Sequence, residues 1–330
     1  MLIINNPPIA IISCGVFEKS IRVFNPVPGT CYTEQKNGKR VDHMWKEKVS
    51  VTPPYHFDRV LDRLSLDPLN AVDIKARNVR VPIRNRAGDV CIVKVQALGH
   101  ADEPEFLVSG ETDQEDMMME IKRIFQWEND LRHVLDHFSK TSLSAIFEEH
   151  AGTPLVLDYS VYNCIMKCIV HQQLNLSFAY TLTERFVHTF GEQKDGVWCY
   201  PKPETIAALD YQDLRDLQFS MRKAEYAIDT SRMIAEGILD LSELAQLTDE
   251  EIMKKLIKIR GIGPWTVQNV LMFGLGRPNL FPLADIGLQN AIKRHFALDD
   301  KPAKDVMLAM SKEWEPYLSY ASLYLWRSIE

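Results

Sequence analysis

A single carboxylate stands alone in the most basic stretch of this chain. Between Glu251 and Asp299 the one acidic residue is Asp285, whereas 45 Asp and Glu in 330 residues would place about six in that window. The same window holds Lys254, Lys255, Lys258, Arg260, Arg277, Lys293 and Arg294, a local excess of positive charge that suits a phosphate backbone. A carboxylate is disfavoured on such a surface unless chemistry needs it there. Asp285 is therefore the first candidate for a catalytic group, of the kind that stabilises developing positive charge or orients a water.

Just upstream, Leu256 and Ile259 end one helical pattern, Gly261-Ile262-Gly263 makes a tight turn, and Pro264 opens the next helix at its first position. Two glycines let the backbone take positive φ and come close to a ligand, and the N–H groups that open the second helix form an anion site. A phosphate is the natural occupant, with Ile262 pinning the turn to the core. A glycine cap between two antiparallel helices is the plainer reading of a bare Gly-x-Gly turn. The basic window, and an aromatic directly behind the proline, favour phosphate.

Other chemistry-bearing residues are more ambiguous. Cys164, Cys168 and His171 share one helical face, a spacing open to a metal but set among Ile165 and Ile169 without a nearby fourth ligand, which favours buried thiols. Arg222 and Lys223 open a helix and suit either phosphate contacts or solvated surface charge. Tyr317, Tyr320, Tyr324 and Trp326 fit a packed terminal helix as readily as a binding site.

The elements that must position these residues fall into three segments. Composition, with 46% apolar and 25% charged residues, is that of a soluble globular protein with room for two domains, and a net charge of −7 confines any nucleic-acid binding to a local patch. Six dispersed cysteines read as reduced thiols in a cytoplasmic protein. Residues 8–17 are apolar, but no Lys or Arg precedes them and Pro7 and Pro8 interrupt them, so export and membrane association are not expected. Residues 1–43 read as a poorly ordered N-terminal extension, with Met44 as an alternative start. Residues 44–112 alternate apolar and polar positions after one amphipathic helix (55–66), which implies a small α+β domain on an antiparallel sheet, with strands in 72–83, 89–99 and 106–111 and a turn at Arg84–Gly88. Residues 113–330 read as an all-α domain, with caps at Asp158 and at Thr248, the latter paired with Glu251.

With the turn, the window and these blocks in view, the chain resembles the HhH-GPD superfamily of DNA glycosylases. LIKIRGIGPWTVQNVL resembles its helix-hairpin-helix motif, and in LMFGLGRPNLFPLADIGLQNAI Asp285 falls at the position of the family's catalytic aspartate. IVHQQLNLSFA, FSMRKAEYA and WEPYLSYASLYLW look like three further family blocks in the right order, and PPYHFDRVL before a small sheet is similar to the 3-methyladenine DNA glycosylase II branch. The likeness covers roughly residues 115–328.

The resemblance implies a mainly α, helix-hairpin-helix glycosylase fold and excision of alkylated purines from double-stranded DNA in base excision repair. It implies base-pocket aromatics at Trp265, Trp326 and Tyr324, and DNA contacts at Gly261, Ile262, Gly263 and Thr266. Gln172, Gln173 and Leu174 match the wedge segment that fills the gap left by a flipped base. Trp265 stands where lyase-competent members carry a lysine, so a monofunctional enzyme is expected. No cysteine follows Cys199, so no iron–sulfur cluster is expected, and no cofactor. A monovalent cation on the carbonyls near Lys258, Gly261 and Gly263 is implied by resemblance alone, and a monomer is expected. Two other readings stay open: a glycosylase of this family for hypoxanthine, uracil or an oxidised purine, and a non-catalytic helix-hairpin-helix module.

Overall fold

Alternating apolar side chains build the small sheet. The computed structural model describes residues 44–329; the N-terminal extension and its cysteines, Cys14 and Cys31, lie outside the described residues. Five antiparallel strands, β1 (Trp45–Ser50), β2 (Ala71–Asp73), β3 (Asn78–Arg84), β4 (Val90–Ala97) and β5 (Glu105–Gly110), stand in the order β1-β5-β4-β3-β2. Val79, Val81, Val93 and Val95 are buried, and so are Phe57, Val60 and Leu61 of the Phe57–Ser65 helix. The β3–β4 hairpin closes at the expected turn, pairing Arg84 with Val90 around Gly88 at φ +83.

Two differences from expectation concern turns. The stretch 72–83 is two strands, because Asp73 Oδ1 accepts the Ala76 N–H at 2.9 Å and Arg77 takes φ +49, closing a tight turn that the alternation hides. The region after residue 113 also contains a hairpin, β6 (Glu192–Lys194) and β7 (Val197–Cys199), where only helix was expected. Asp195 at φ +51 and Gly196 at φ +75 form its two-residue turn, and Asp-Gly is the sequence signal that marks it. Arg80 donates to Asp195 O at 2.7 Å and Arg84 to Tyr200 O at 2.9 Å, docking this hairpin on the larger sheet and fixing Tyr200.

The rest is helical. Thr248 and Glu251 form the expected reciprocal cap of the Asp249–Leu256 helix. Asp158 is not a cap: the Val161–His171 helix starts at Ser160, whose hydroxyl accepts the Asn163 N–H, and Asp158 turns toward Lys167 instead. One cluster of buried apolar side chains runs from Val51 on the sheet side to Leu325 in the last helix. Burial of that continuity supplies the main favourable term for the fold. Among the described residues no helix is long and apolar enough to cross a membrane.

Candidate active site

The hairpin is built much as its glycines require, with one change. Gly261 has φ +92, and a Cβ there would lie 2.2 Å from the Tyr226 ring, so only glycine fits. Gly263 is extended at φ −99 and a Cβ would meet nothing within 4 Å, so it leaves its flank open without supplying a positive φ. Ile262 is buried and holds the turn to the core.

Several residues expected at DNA are occupied by the protein itself. Gln172 Nε2 donates to Gly261 O at 2.8 Å and to Thr266 Oγ1 at 3.1 Å, and Thr266 is buried, so this pair ties the loop at residues 172–174 to the hairpin. Lys223 Nζ donates to the carbonyls of Ile169, Val170 and Gln172, the last at 2.7 Å, and serves as a cap on the Val161–His171 helix in place of a phosphate contact. Burial lowers its pKa to about 8. Arg222, one residue earlier, is exposed, as is Gln173, which sits at φ +57. Of the carbonyls named for a cation, Gly261 O accepts from Gln172 and Gly263 O from the Val267 N–H at 3.0 Å.

The basic window is also less positive than its residue count. Lys255 pairs with Glu243, Arg260 with Glu225 and Arg277 with Asp249, all acids from outside the window. Lys254, Lys258, Lys293 and Arg294 form no salt bridge among the described residues.

A cavity of about 670 Å³ brings together Asp285, Trp265, Trp326 and Leu174. Asp285 caps the Ile286–His295 helix: its Oδ1 accepts the Leu288 N–H at 2.8 Å and the Trp326 Nε1–H at 2.9 Å. No hydrogen bond among the described residues reaches Oδ2. Gly287 permits this packing, since a Cβ there would lie 3.1 Å from Asp285 Oδ1 and 3.4 Å from the Trp326 ring. After the Pro264–Asn269 helix, a π-helical turn at Val270–Gly274 carries Phe273 into the lining, 6.1 Å from Trp326 between ring centroids, with Arg63 4.7 Å above its face.

Tyr324 is not brought to the cavity. It is buried in a stack with Phe147 at 3.9 Å, and its hydroxyl accepts the Thr153 N–H and donates to Thr153 O. Two positions apart on the Leu318–Arg327 helix, Tyr324 and Trp326 point to opposite faces, so only Trp326 reaches the cavity. Cys164, Cys168 and His171 do border the cavity, yet no group of three or more His, Cys, Asp or Glu among the described residues could hold a metal. His171 instead pairs with Thr183 Oγ1 at 3.1 Å, and burial, then the charge of Lys167, lowers its pKa to about 3.

Residues not expected at the site complete the lining. Lys167 Nζ lies 3.3 Å from Asp67 Oδ2 and 3.4 Å from Asp158 Oδ1, with Tyr159, Tyr180 and Tyr200 around them. Burial opposes the charge on Lys167, but Asp158 and Asp67 outweigh it and hold the ammonium above its ordinary range. No local pattern marks this set, because Asp67 comes from the small α+β region and Tyr200 from the β6–β7 hairpin. Leu176 also lines the cavity; with Phe178 it stays exposed, at 55% and 37%, at the first turn of the Leu176–Phe190 helix directly after the Asn175 cap.

Similarity to known proteins agrees with this geometry. Residues 166–316 match the model of the HhH-GPD superfamily base excision DNA repair protein. The chain is 92% identical over 287 residues to YfjP of Bacillus subtilis, provisionally named a DNA-3-methyladenine glycosylase, covering 87% of this chain and 100% of that protein. It is 42% identical over 163 residues to the DNA-3-methyladenine glycosylase of Bacillus subtilis, 48% of this chain and 54% of the relative. In fold it is similar to the 3-methyladenine DNA glycosylase of Archaeoglobus fulgidus, with a TM-score of 0.76 at 21% identity over 85% of this chain and 97% of that one. The chain thus belongs to the HhH-GPD superfamily of base excision DNA repair proteins, in its DNA-3-methyladenine glycosylase branch.

Proposed function

We propose that this glycosylase is monofunctional and hydrolyses the N-glycosidic bond of alkylated purines, the 3-methyladenine and 7-methylguanine class, after flipping them out of double-stranded DNA. It acts as a monomer in the cytoplasm and needs no cofactor. The observation that carries this reading is Asp285, which lines a cavity roomy enough for a flipped purine nucleotide, with Oδ1 held by two donors and Oδ2 left to the reacting sugar.

Breaking the bond builds an oxocarbenium-like charge at C1′, which an adjacent carboxylate stabilises while orienting the attacking water. The Trp326 indole and the Leu288 amide fix that carboxylate in one rotamer, so no reorganisation accompanies the charge. Purines alkylated at N3 or N7 are already cationic, and they leave without a general acid. This suits a cavity whose one histidine, His171, is held neutral. Trp265 and Trp326 offer π faces to the cation. Leu174, Leu176 and Gln173 lie at the wedge segment to fill the vacated stack, with the Gly261–Gly263 turn on the phosphates.

Lyase chemistry needs a neutral amine, and the cavity's lysine, Lys167, is kept protonated by two carboxylates. Incubation with methylated duplex is expected to release 3-methyladenine and 7-methylguanine and to leave abasic sites on intact strands. Lack of base release would refute the activity; strand cleavage with borohydride trapping would refute its monofunctional character.

A further inference from the structure

The hydrolysis just described makes no use of the ion cluster in the same cavity. Asp67 is fully engaged there: Oδ2 faces Lys167, Oδ1 accepts the Leu69 N–H at 3.1 Å, and its side chain is 9% accessible. Asp158 and Lys167 keep 23% and 28% accessible, and both border the cavity. One ammonium neutralises one carboxylate, so the three groups carry a net charge of about −1; Arg63, held over the Phe273 face, is the other cationic side chain of the lining. The hydroxyls of Tyr159 and Tyr200, enclosed residues of the same lining, have no hydrogen-bond partner among the described residues. Enclosed polar groups are normally completed by water or by a ligand.

We propose that Asp158, held by Lys167, is a specificity-determining residue that accepts an N–H from the exocyclic amino group of a purine made cationic by alkylation. This rests on the glycosylase reading of Asp285. In 3-alkyladenine and 7-alkylguanine the positive charge spreads onto the amino group, so a carboxylate bond to it is charge-assisted, and the bound cation adds positive charge beside the cluster. A neutral purine supplies no such charge. Hypoxanthine, with an oxygen in place of the adenine amino group, would set an acceptor against the carboxylate.

The test is Asp158→Asn, read by single-turnover release of 7-methylguanine and by affinity for a duplex carrying a tetrahydrofuran abasic analogue, which has no base. Release is expected to fall about 10- to 100-fold with abasic-duplex affinity unchanged. Unchanged release, or a parallel loss of abasic affinity, overturns the proposal and leaves the glycosylase reading intact if the wild type releases 7-methylguanine. A wild type that releases none overturns both. Should the variant not fold, inhibition of the wild type by free nucleosides at pH 5.5 decides. 7-Methylguanosine is expected to inhibit at least about tenfold better than 7-methylinosine, a cation of similar shape without the amino group, and equal inhibition, or none by either, overturns the proposal.

Discussion

Two partly enclosed lysines show how differently the same side chain is used in this fold. Lys167 sits between Asp67 and Asp158 in the cavity wall, and its ammonium is held above its ordinary pKa range. Among the described residues Lys223 meets only the carbonyls of Ile169, Val170 and Gln172, and burial brings it down to about 8. Carbonyl dipoles satisfy an ammonium's donors, but without a counter-charge they do not offset its desolvation. Lys223 is accordingly a brace, fastening the Val161–His171 helix end to the Met221–Ala235 helix beneath the loop that Gln172 ties to Gly261. Lys167 belongs to the chemistry of the cavity, because its second carboxylate leaves that wall negative.

Removing each lysine should break the comparison in a different way. Lys167→Met strands two carboxylates and is expected to cost about 3–5 kcal/mol in chemical denaturation; a loss below about 1 kcal/mol would mean that cavity water already carries their charge. Lys223→Met removes a charge-assisted cap and is expected to cost less, about 2 kcal/mol, with faster amide exchange confined to residues 169–174.

The smallest effect is in pH dependence. Lys223 has a lowered folded-state pKa, so the unfolded chain binds more protons between about pH 8 and its ordinary 10.5, and stability from this group rises with pH across that window. The deficit of Lys223→Met relative to wild type should therefore widen from pH 8 to 10. The Lys167→Met deficit should stay level there, since Lys167 keeps its proton in the folded state. Equal slopes would remove the distinction between the two lysines.

What was legible in the sequence was local. The Gly261–Gly263 turn and the Thr248 capping box are read within a few residues, and the isolation of Asp285 within one contiguous window, so none of them needs the packed fold. Trp265 and Trp326 were identified by resemblance, and the fold brings both to Asp285. Long-range pairing was the blind spot. Lys223 and Gln172 look like surface residues until the elements they bridge are packed, and the acids that neutralise Lys255, Arg260 and Arg277 lie outside the window that made it look so basic. The Asp67–Lys167–Asp158 cluster joins residues 100 and 9 positions apart, so no periodicity points to it. The β6–β7 hairpin carried a readable Asp-Gly signal, submerged in a run of helical patterns.

The central claim is that the Asp285 carboxylate, fixed by Trp326 and the Leu288 amide, drives base release. Asp285→Asn keeps an oxygen to accept both donors, so it removes the charge while preserving the cap. Single-turnover release of 7-methylguanine from duplex DNA by this variant is expected to fall about 10²- to 10³-fold, with affinity for an abasic duplex unchanged. Release within about tenfold of wild type would contradict the assignment.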